Sequence, residues 1–281
     1  MPEAPPQIET YRATDGRPLP VRRFEPADAP RAQVVFLHGI ISHGGWYTRG
    51  CNHLANAGFA VHFLDRRGSG LDFTSRGDVD GWETWLSDVE IYLDQLRGKG
   101  PIVVCGISWG GKLAPAIARH RPDLVAGIGL ICPGIYARQQ PGPIKRFALV
   151  LTGALGIDEK RITIPLQEAE LFTDTPQWQE YVRRDPLTLR EITLRFARAD
   201  RLLTRHVRKS GPWIHTPTLL MLAGREGIVD NRRTRAFFDT LAAREKTLID
   251  YPNAAHTLEF EPDPVPYFDD LANWIDKVAK L

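Results

Sequence analysis

The chain has 281 residues, 43% of them hydrophobic and 25% charged, with a formal net charge of +2. That balance supports a globular protein with a sizeable core, and it argues against a nucleic-acid binder, for which a basic stripe interleaved with aromatics is also missing. No apolar run approaches the roughly 20 residues that span a bilayer, and an odd count of three cysteines speaks against a disulfide framework. The opening Met1-Pro2-Glu3-Ala4-Pro5-Pro6 has neither a basic n-region nor an apolar h-region, so the expected location is cytoplasmic.

In chain order, two short β-prone runs at 8–12 and 19–24 flank Asp15-Gly16, a hairpin signal. An apolar strand at 34–37 then runs into the loop His38-Gly39-Ile40-Ile41-Ser42-His43-Gly44-Gly45-Trp46-Tyr47. A helix is expected over 45–57, a strand over 59–64, a helix over 82–96 and a buried strand over 101–105. Next comes Gly106-Ile107-Ser108-Trp109-Gly110, followed by helix-like sequence over 112–120. A Gly-x-Ser-x-Gly between a strand and a helix has a physical reading. The serine occupies a strained turn, and the flanking glycines let strand and helix approach closely. A further core strand covers 126–132.

There the alternation of strand and helix stops. From 134 to 211 no strand is evident, and helical segments are separated by Pro141, Pro143, Pro165, Pro176 and Pro186. Alternation resumes with a strand at 218–223 and another at 247–250, before a final helix. The expected class is α/β, a mostly parallel sheet with helices on both faces. The expected organisation is a core of residues 1–133 and 212–281, with 134–211 inserted as a helical cap over the carboxyl ends of the strands. Within the cap, 147–157 is unusually apolar, which fits an acyl-chain lining, a lipid-facing surface or simple packing onto the core. Its arginines (Arg183, Arg184, Arg190, Arg195, Arg198, Arg201, Arg205, Arg208) could attract an anionic headgroup or phospholipid surface, but at helical spacing with intervening acids they read as a solvated face.

Ser108 needs a base, and His256 is the histidine placed to serve. It follows the last strand in the loop Tyr251-Pro252-Asn253-Ala254-Ala255-His256, at the carboxyl edge of the sheet. His38 and His43 are read instead as orienting the backbone of their loop. An acid should follow the strand at 218–223, where Glu226 and Asp230 compete. Glu226, at the strand end, is assigned to orient His256, and Asp230 to cap the next helix. The oxyanion donors expected are the backbone N–H groups of Trp109 and Ile40. This chemistry requires no metal or organic cofactor.

Phe36-Leu37-His38-Gly39, His43-Gly44-Gly45-Trp46-Tyr47, Asp65-Arg66-Arg67-Gly68-Ser69-Gly70, the serine motif, Ile228-Val229-Asp230-Asn231 and His256-Thr257-Leu258-Glu259-Phe260-Glu261 together resemble the α/β-hydrolases of the monoacylglycerol lipase and lysophospholipase group. The resemblance implies a serine hydrolase cleaving carboxylic esters of monoacylglycerol or lysophospholipid type through an acyl-enzyme on Ser108. In that group the strand-end acid is usually Asp, so Glu226 agrees in register and departs in type. A small-ester carboxylesterase, a thioesterase or a hydrolase-fold ligand-binding protein without turnover are the alternatives.

Overall fold

In the computed structural model, residues 5–138, 142, 149, 152 and 156–281 are described. An eight-stranded sheet runs β1 (Gln7–Arg12), β2 (Pro18–Phe24), β4 (Ala60–Leu64), β3 (Gln33–Leu37), β5 (Ile102–Ile107), β6 (Gly127–Ile131), β9 (Thr218–Ala223) and β10 (Lys246–Tyr251) in spatial order. β1 pairs antiparallel with β2, and β2 antiparallel with β4; every other pairing is parallel. The helices α1 (Thr48–Asn56), α2 (Trp82–Leu96), α3 (Gly110–His120), α6 (Asn231–Asp239) and α7 (Val265–Val278) are the crossovers and the closing element.

Burial explains why the central strands read as continuous apolar runs. Every residue of β3, β4, β5, β6 and β9 is buried, as a parallel sheet covered on both faces demands. Each Val, Leu or Ile so placed contributes roughly 1.5–3 kcal/mol. The edge strand β10 instead alternates between exposed and half-buried residues. The helix expected over 45–57 divides into a 3-10 turn, Gly44–Tyr47, and α1, with Tyr47 leaving the helical region at φ −120°, ψ 23°.

Between β6 and β9 lie β7 (Arg161–Thr163), α4 (Pro176–Arg184), β8 (Glu191–Thr193) and α5 (Leu194–Val207). The expectation that 134–211 holds no strand is therefore corrected: β7 and β8 form an antiparallel pair. Three residues are too few to display a period of two, so the pair left no readable pattern. The apolar run at 147–157 lies mostly outside the described residues. Several of the arginines do face carboxylates, Arg183 and Arg184 at Glu180, Arg195 at Asp78 and Arg198 at Asp158. No helix among the described residues is long and apolar enough to cross a membrane.

A buried pair of polar side chains, His62 and Gln33, sits inside this sheet. His62 in β4 is buried, its Nδ1 2.8 Å from Tyr92 Oη and its Nε2 2.8 Å from Gln33 Oε1. Burial, helped by Arg23 and Lys99, pushes it down to about 3, and His38 is likewise pushed down to about 3 by burial and Arg66. Both rings stay neutral in the folded chain while the unfolded chain protonates near its ordinary value. Stability is therefore complete above that value and falls as pH drops below it. Between about pH 6 and 5, where carboxylates remain ionised, His62→Gln should flatten the stability–pH slope by roughly 1.2 kcal/mol per pH unit. Urea melts of wild type and variant across that interval measure it; parallel slopes would remove His62 as the source.

Candidate active site

The serine motif sits where β5 ends and α3 begins, in the middle of the sheet. Ser108 has φ +50°, a left-handed conformation that costs a side-chain-bearing residue on the order of 1–3 kcal/mol. The turn is held by Ser108 N–H donating to Ile131 O (2.9 Å), while Ser108 O accepts from Gly111 N–H (2.9 Å) and Gly134 N–H (2.6 Å). The flanking glycines are required by contact. A Cβ on Gly106 would strike the Gly110 carbonyl, and one on Gly110 would strike the Leu37 carbonyl at the end of β3.

The three side chains assigned from sequence meet here. His256 Nε2 lies 2.9 Å from Ser108 Oγ, and His256 Nδ1 lies 2.7 Å from Glu226 Oε2. With the carboxylate on one side, the proton belongs on Nδ1, leaving Nε2 to accept from the serine hydroxyl. Glu226 is buried; its Oε1 accepts from Ile228 N–H (2.8 Å) and Val229 N–H (3.2 Å). Burial pushes its carboxyl up, but His256 and these two N–H groups outweigh it and hold Glu226 below the ordinary range. Asp230 does something else: its Oδ1 accepts from Arg233 N–H (3.0 Å) at the start of α6. The extra methylene of Glu226 is accommodated in a loop stitched to the chain leaving β6, through Arg138 N–H to Ile228 O (2.8 Å) and Asp230 N–H to Tyr136 O (2.8 Å).

Cys132, at the end of β6, has its thiol close to this pair: donor atoms of Cys132, Glu226 and His256 lie within 4.8 Å of one another. Burial, with Glu226 adding to it, raises the thiol well above its usual range, and the carboxylate and imidazole already satisfy each other. The residue is therefore a neutral core thiol.

Over Ser108 passes the loop 38–47; a Cβ on Gly39 would lie 3.4 Å from Ser108 Cβ. Among the described residues, neither Ile40 N–H nor Trp109 N–H donates to a protein group. His38 accepts Arg66 N–H at Nε2 (2.8 Å) and donates from Nδ1 to Gly39 O (2.7 Å). His43 accepts Gly45 N–H at Nδ1 (3.0 Å) and donates from Nε2 to Asp185 (2.8 Å). Both histidines thus orient backbone, and His43 in addition reaches the 134–211 segment.

Three carboxylates do structural work here; Asp65 falls in the matched run 65–70 without its contacts being readable there, and Asp185 and Asp200 carried no sequence signal. Asp65 holds the loop from below, accepting Gly44 N–H (2.8 Å) and Leu71 N–H (2.9 Å). Asp185 holds it from above, through His43, Trp46 Nε1 (2.7 Å) and Thr188 Oγ1 (2.9 Å). Asp200 on α5 accepts Trp109 Nε1 (2.6 Å) and Lys112 Nζ (2.5 Å). Their partners within the loop are far away in the chain, Gly44 being 21 residues from Asp65, and Trp46 and His43 being 139 and 142 from Asp185, beyond any local motif.

A family model described as serine aminopeptidase, S33, matches residues 28–263. The human protein named monoglyceride lipase is 24% identical over 270 residues, covering 94% of this chain and 88% of its own. The crystal structure of a Paleococcus ferrophilus monoacylglycerol lipase superposes with TM-score 0.83 at 22% identity, over 92% of this chain and 99% of that one. A thermostable carboxyl esterase from Bacillus coagulans gives TM-score 0.85 at 16% identity, over 98% of this chain and 99% of its own.

The crossing at Gly110 generates a stability prediction: Gly110→Ala should cost about 2–3 kcal/mol in urea unfolding, because a backbone carbonyl cannot yield as a side chain would. A loss under roughly 0.5 kcal/mol would mean that α3 is free to lift from β3. The glycine-flanked serine, the sheet order and the family match agree, and the chain belongs to the serine aminopeptidase S33 family, with the α/β-hydrolase fold.

Proposed function

We propose that the protein is a serine hydrolase of carboxylic esters, and that Ser108, His256 and Glu226 are its nucleophile, base and acid. The observation that carries this reading is the unbroken hydrogen-bonded line from Ser108 Oγ through His256 to Glu226, at 2.9 and 2.7 Å, beside two backbone N–H groups that are unspent among the described residues. Ser108 Oγ attacks the ester carbonyl as its proton passes to His256 Nε2, and Glu226 stabilises the imidazolium. The carbonyl oxygen, now negative, is received by the N–H groups of Ile40 and Trp109. His256 returns the proton to the leaving alcohol, an acyl-enzyme remains, and water repeats the sequence to release the acid.

The substrate class we infer is a monoacylglycerol- or lysophospholipid-like ester. Two relatives bear monoacylglycerol lipase names and are covered over most of their length. We take residues 134–211 as the cap that shapes the acyl site: Phe172 stacks edge-on against His256 at 6.0 Å, and Phe172 O accepts Thr257 N–H. The same segment is the surface through which we infer peripheral contact with lipid. A cytoplasmic location fits the three cysteines, Cys51, Cys105 and Cys132, which are free thiols. The likeness to a carboxyl esterase favours a small-ester reading as the second choice.

Fluorophosphonate labelling and ester hydrolysis test both levels. Ser108→Ala should abolish labelling and lower kcat by on the order of 10⁶. Glu226→Gln should lower kcat by about 10⁴, while Asp230→Asn, still able to cap α6, should stay within about threefold of wild type. Labelling that survives Ser108→Ala, or a collapse on Asp230→Asn alone, would overturn the assignments. Across p-nitrophenyl esters, a kcat/KM rising to medium or long acyl chains fits the lipase-like site; a maximum at acetate would establish the small-ester reading.

A further inference from the structure

Arg66 follows β4 and is buried, yet among the described residues no carboxylate lies within ion-pair distance of it, whereas its neighbour Arg67 meets Asp88 at 2.7 Å. Its hydrogen-bond acceptors are two carbonyl groups of the loop above Ser108. Nη2 donates to Ile40 O at 3.0 Å and Nη1 to Gly39 O at 3.3 Å. The guanidinium also lies 4.4 Å over the ring of Trp109. Burying a guanidinium without an ion-pair partner is expensive, so a position that retains one needs an explanation in what the group holds.

Peptide geometry supplies it. No peptide bond among the described residues is cis, so each C=O points opposite to the N–H of the same unit. Whatever grips a carbonyl therefore aims the N–H behind it. At Trp109 the carbonyl partner is Ser108 O, gripped by Gly111 N–H and Gly134 N–H, backbone groups that the elbow itself provides. At Ile40 the partner is Gly39 O, and its grips are side chains: His38 Nδ1 and Arg66 Nη1. Arg66 extends the hold to the next carbonyl, Ile40 O, so both peptides flanking the Ile40 Cα are restrained by one rigid fork. On its other face the same guanidinium packs on Trp109, whose indole N–H is tied to Asp200 of α5.

We propose that Arg66 is the positioning residue of the oxyanion site, setting the tilt of the Gly39–Ile40 peptide and bracing Trp109 against it, with Asp200 supplying the nearby counter-charge from the inserted segment. The inference rests on the hydrolase reading above. Arg66 touches no reacting atom; it acts through the N–H of Ile40. Its loss misaims one donor without removing it, so the effect belongs at or just below the lower end of the roughly 10²–10³ range that follows deletion of an oxyanion donor.

A trifluoromethyl ketone reports on this directly. Ser108 Oγ bonds to its carbonyl carbon, the serine proton passes to His256, and the former carbonyl oxygen becomes an oxyanion held by the donors under test. We would measure kcat and KM on a p-nitrophenyl ester, normalised to active sites by burst titration, together with ketone Ki, for wild type, Arg66→Met, Arg66→Lys and Asp200→Asn. Arg66→Met should lower kcat about 30- to 100-fold and raise Ki by the same factor, with KM within about threefold. Arg66→Lys, which offers one ammonium where the fork reached two carbonyls, should fall between, and Asp200→Asn should lose no more than about fivefold. A folded Arg66→Met with wild-type kcat and Ki would overturn the proposal, as would a loss accounted for wholly by fewer titratable sites. Should Arg66→Met fail to fold, a wild-type Ki in Arg66→Lys would overturn it equally. A wild type that neither turns over esters nor binds the ketone would instead refute the hydrolase reading, and this inference with it.

Discussion

The close crossing of α3 over the ends of β3 and β5 is the constraint on which the site depends. Strand and helix come so near that positions 106 and 110 have no room for a Cβ, and the residue between them is forced to φ +50°. That conformation is unfavourable by itself, but it is stabilised by three backbone hydrogen bonds at Ser108 N–H and O. Two consequences follow from one turn. The Ser108 side chain stands at the carboxyl end of the sheet, and the Trp109 N–H, opposite a carbonyl held from behind, has no protein partner among the described residues. His256 and Glu226 are then delivered to the same point by the loops after β10 and β9, whose parallel register with each other is continuous from Lys246 to Tyr251.

Around this point the buried carboxylates Glu226 and Asp185 are each tied to several donors, which is what allows them to remain charged in a dry environment. Glu226 accepts from two backbone N–H groups as well as from His256. Asp185 accepts from His43, Trp46, Thr188 and the Leu187 N–H, and its carboxyl is held well below the usual range despite burial. Because Asp185 lies between β6 and β9 and Asp65 just after β4, the loop 38–47 is clamped from two separate parts of the chain. In the proposed mechanism, donors fixed in this way need little reorganisation when negative charge develops, which is where preorganised sites derive their advantage over water.

Much of this was legible before the fold was known. The strands β3, β4, β5, β6 and β9 are buried on both faces and therefore write themselves as apolar runs. The elbow is legible because its demands, no side chain at 106 and 110 and a hydroxyl between, fall within five consecutive residues. Glu226 and Asp230 were distinguishable by position, one at a strand end and one before a helix, and what each carboxylate touches follows that division. The β7–β8 pair was not legible, since three residues carry no periodicity. Nor was Asp200, since a helical aspartate looks in sequence like any solvated charge; Arg66 stands in the matched run 65–70, but nothing in that run says what its guanidinium grips.

By itself the sequence determined the α/β alternation, the serine at its strained turn, and which histidine and acid stand at carboxyl ends of strands. These are properties of short contiguous segments, governed by local sterics and by burial periodicity. Only the tertiary structure decided how the loop above Ser108 is held, because its clamps are contacts across large separations in the chain: 26 residues from Arg66 to Ile40, 91 from Trp109 to Asp200, 142 from His43 to Asp185. A side chain's partner at such range is chosen by the geometry of the folded sheet and the segment above it, and no local pattern records that choice.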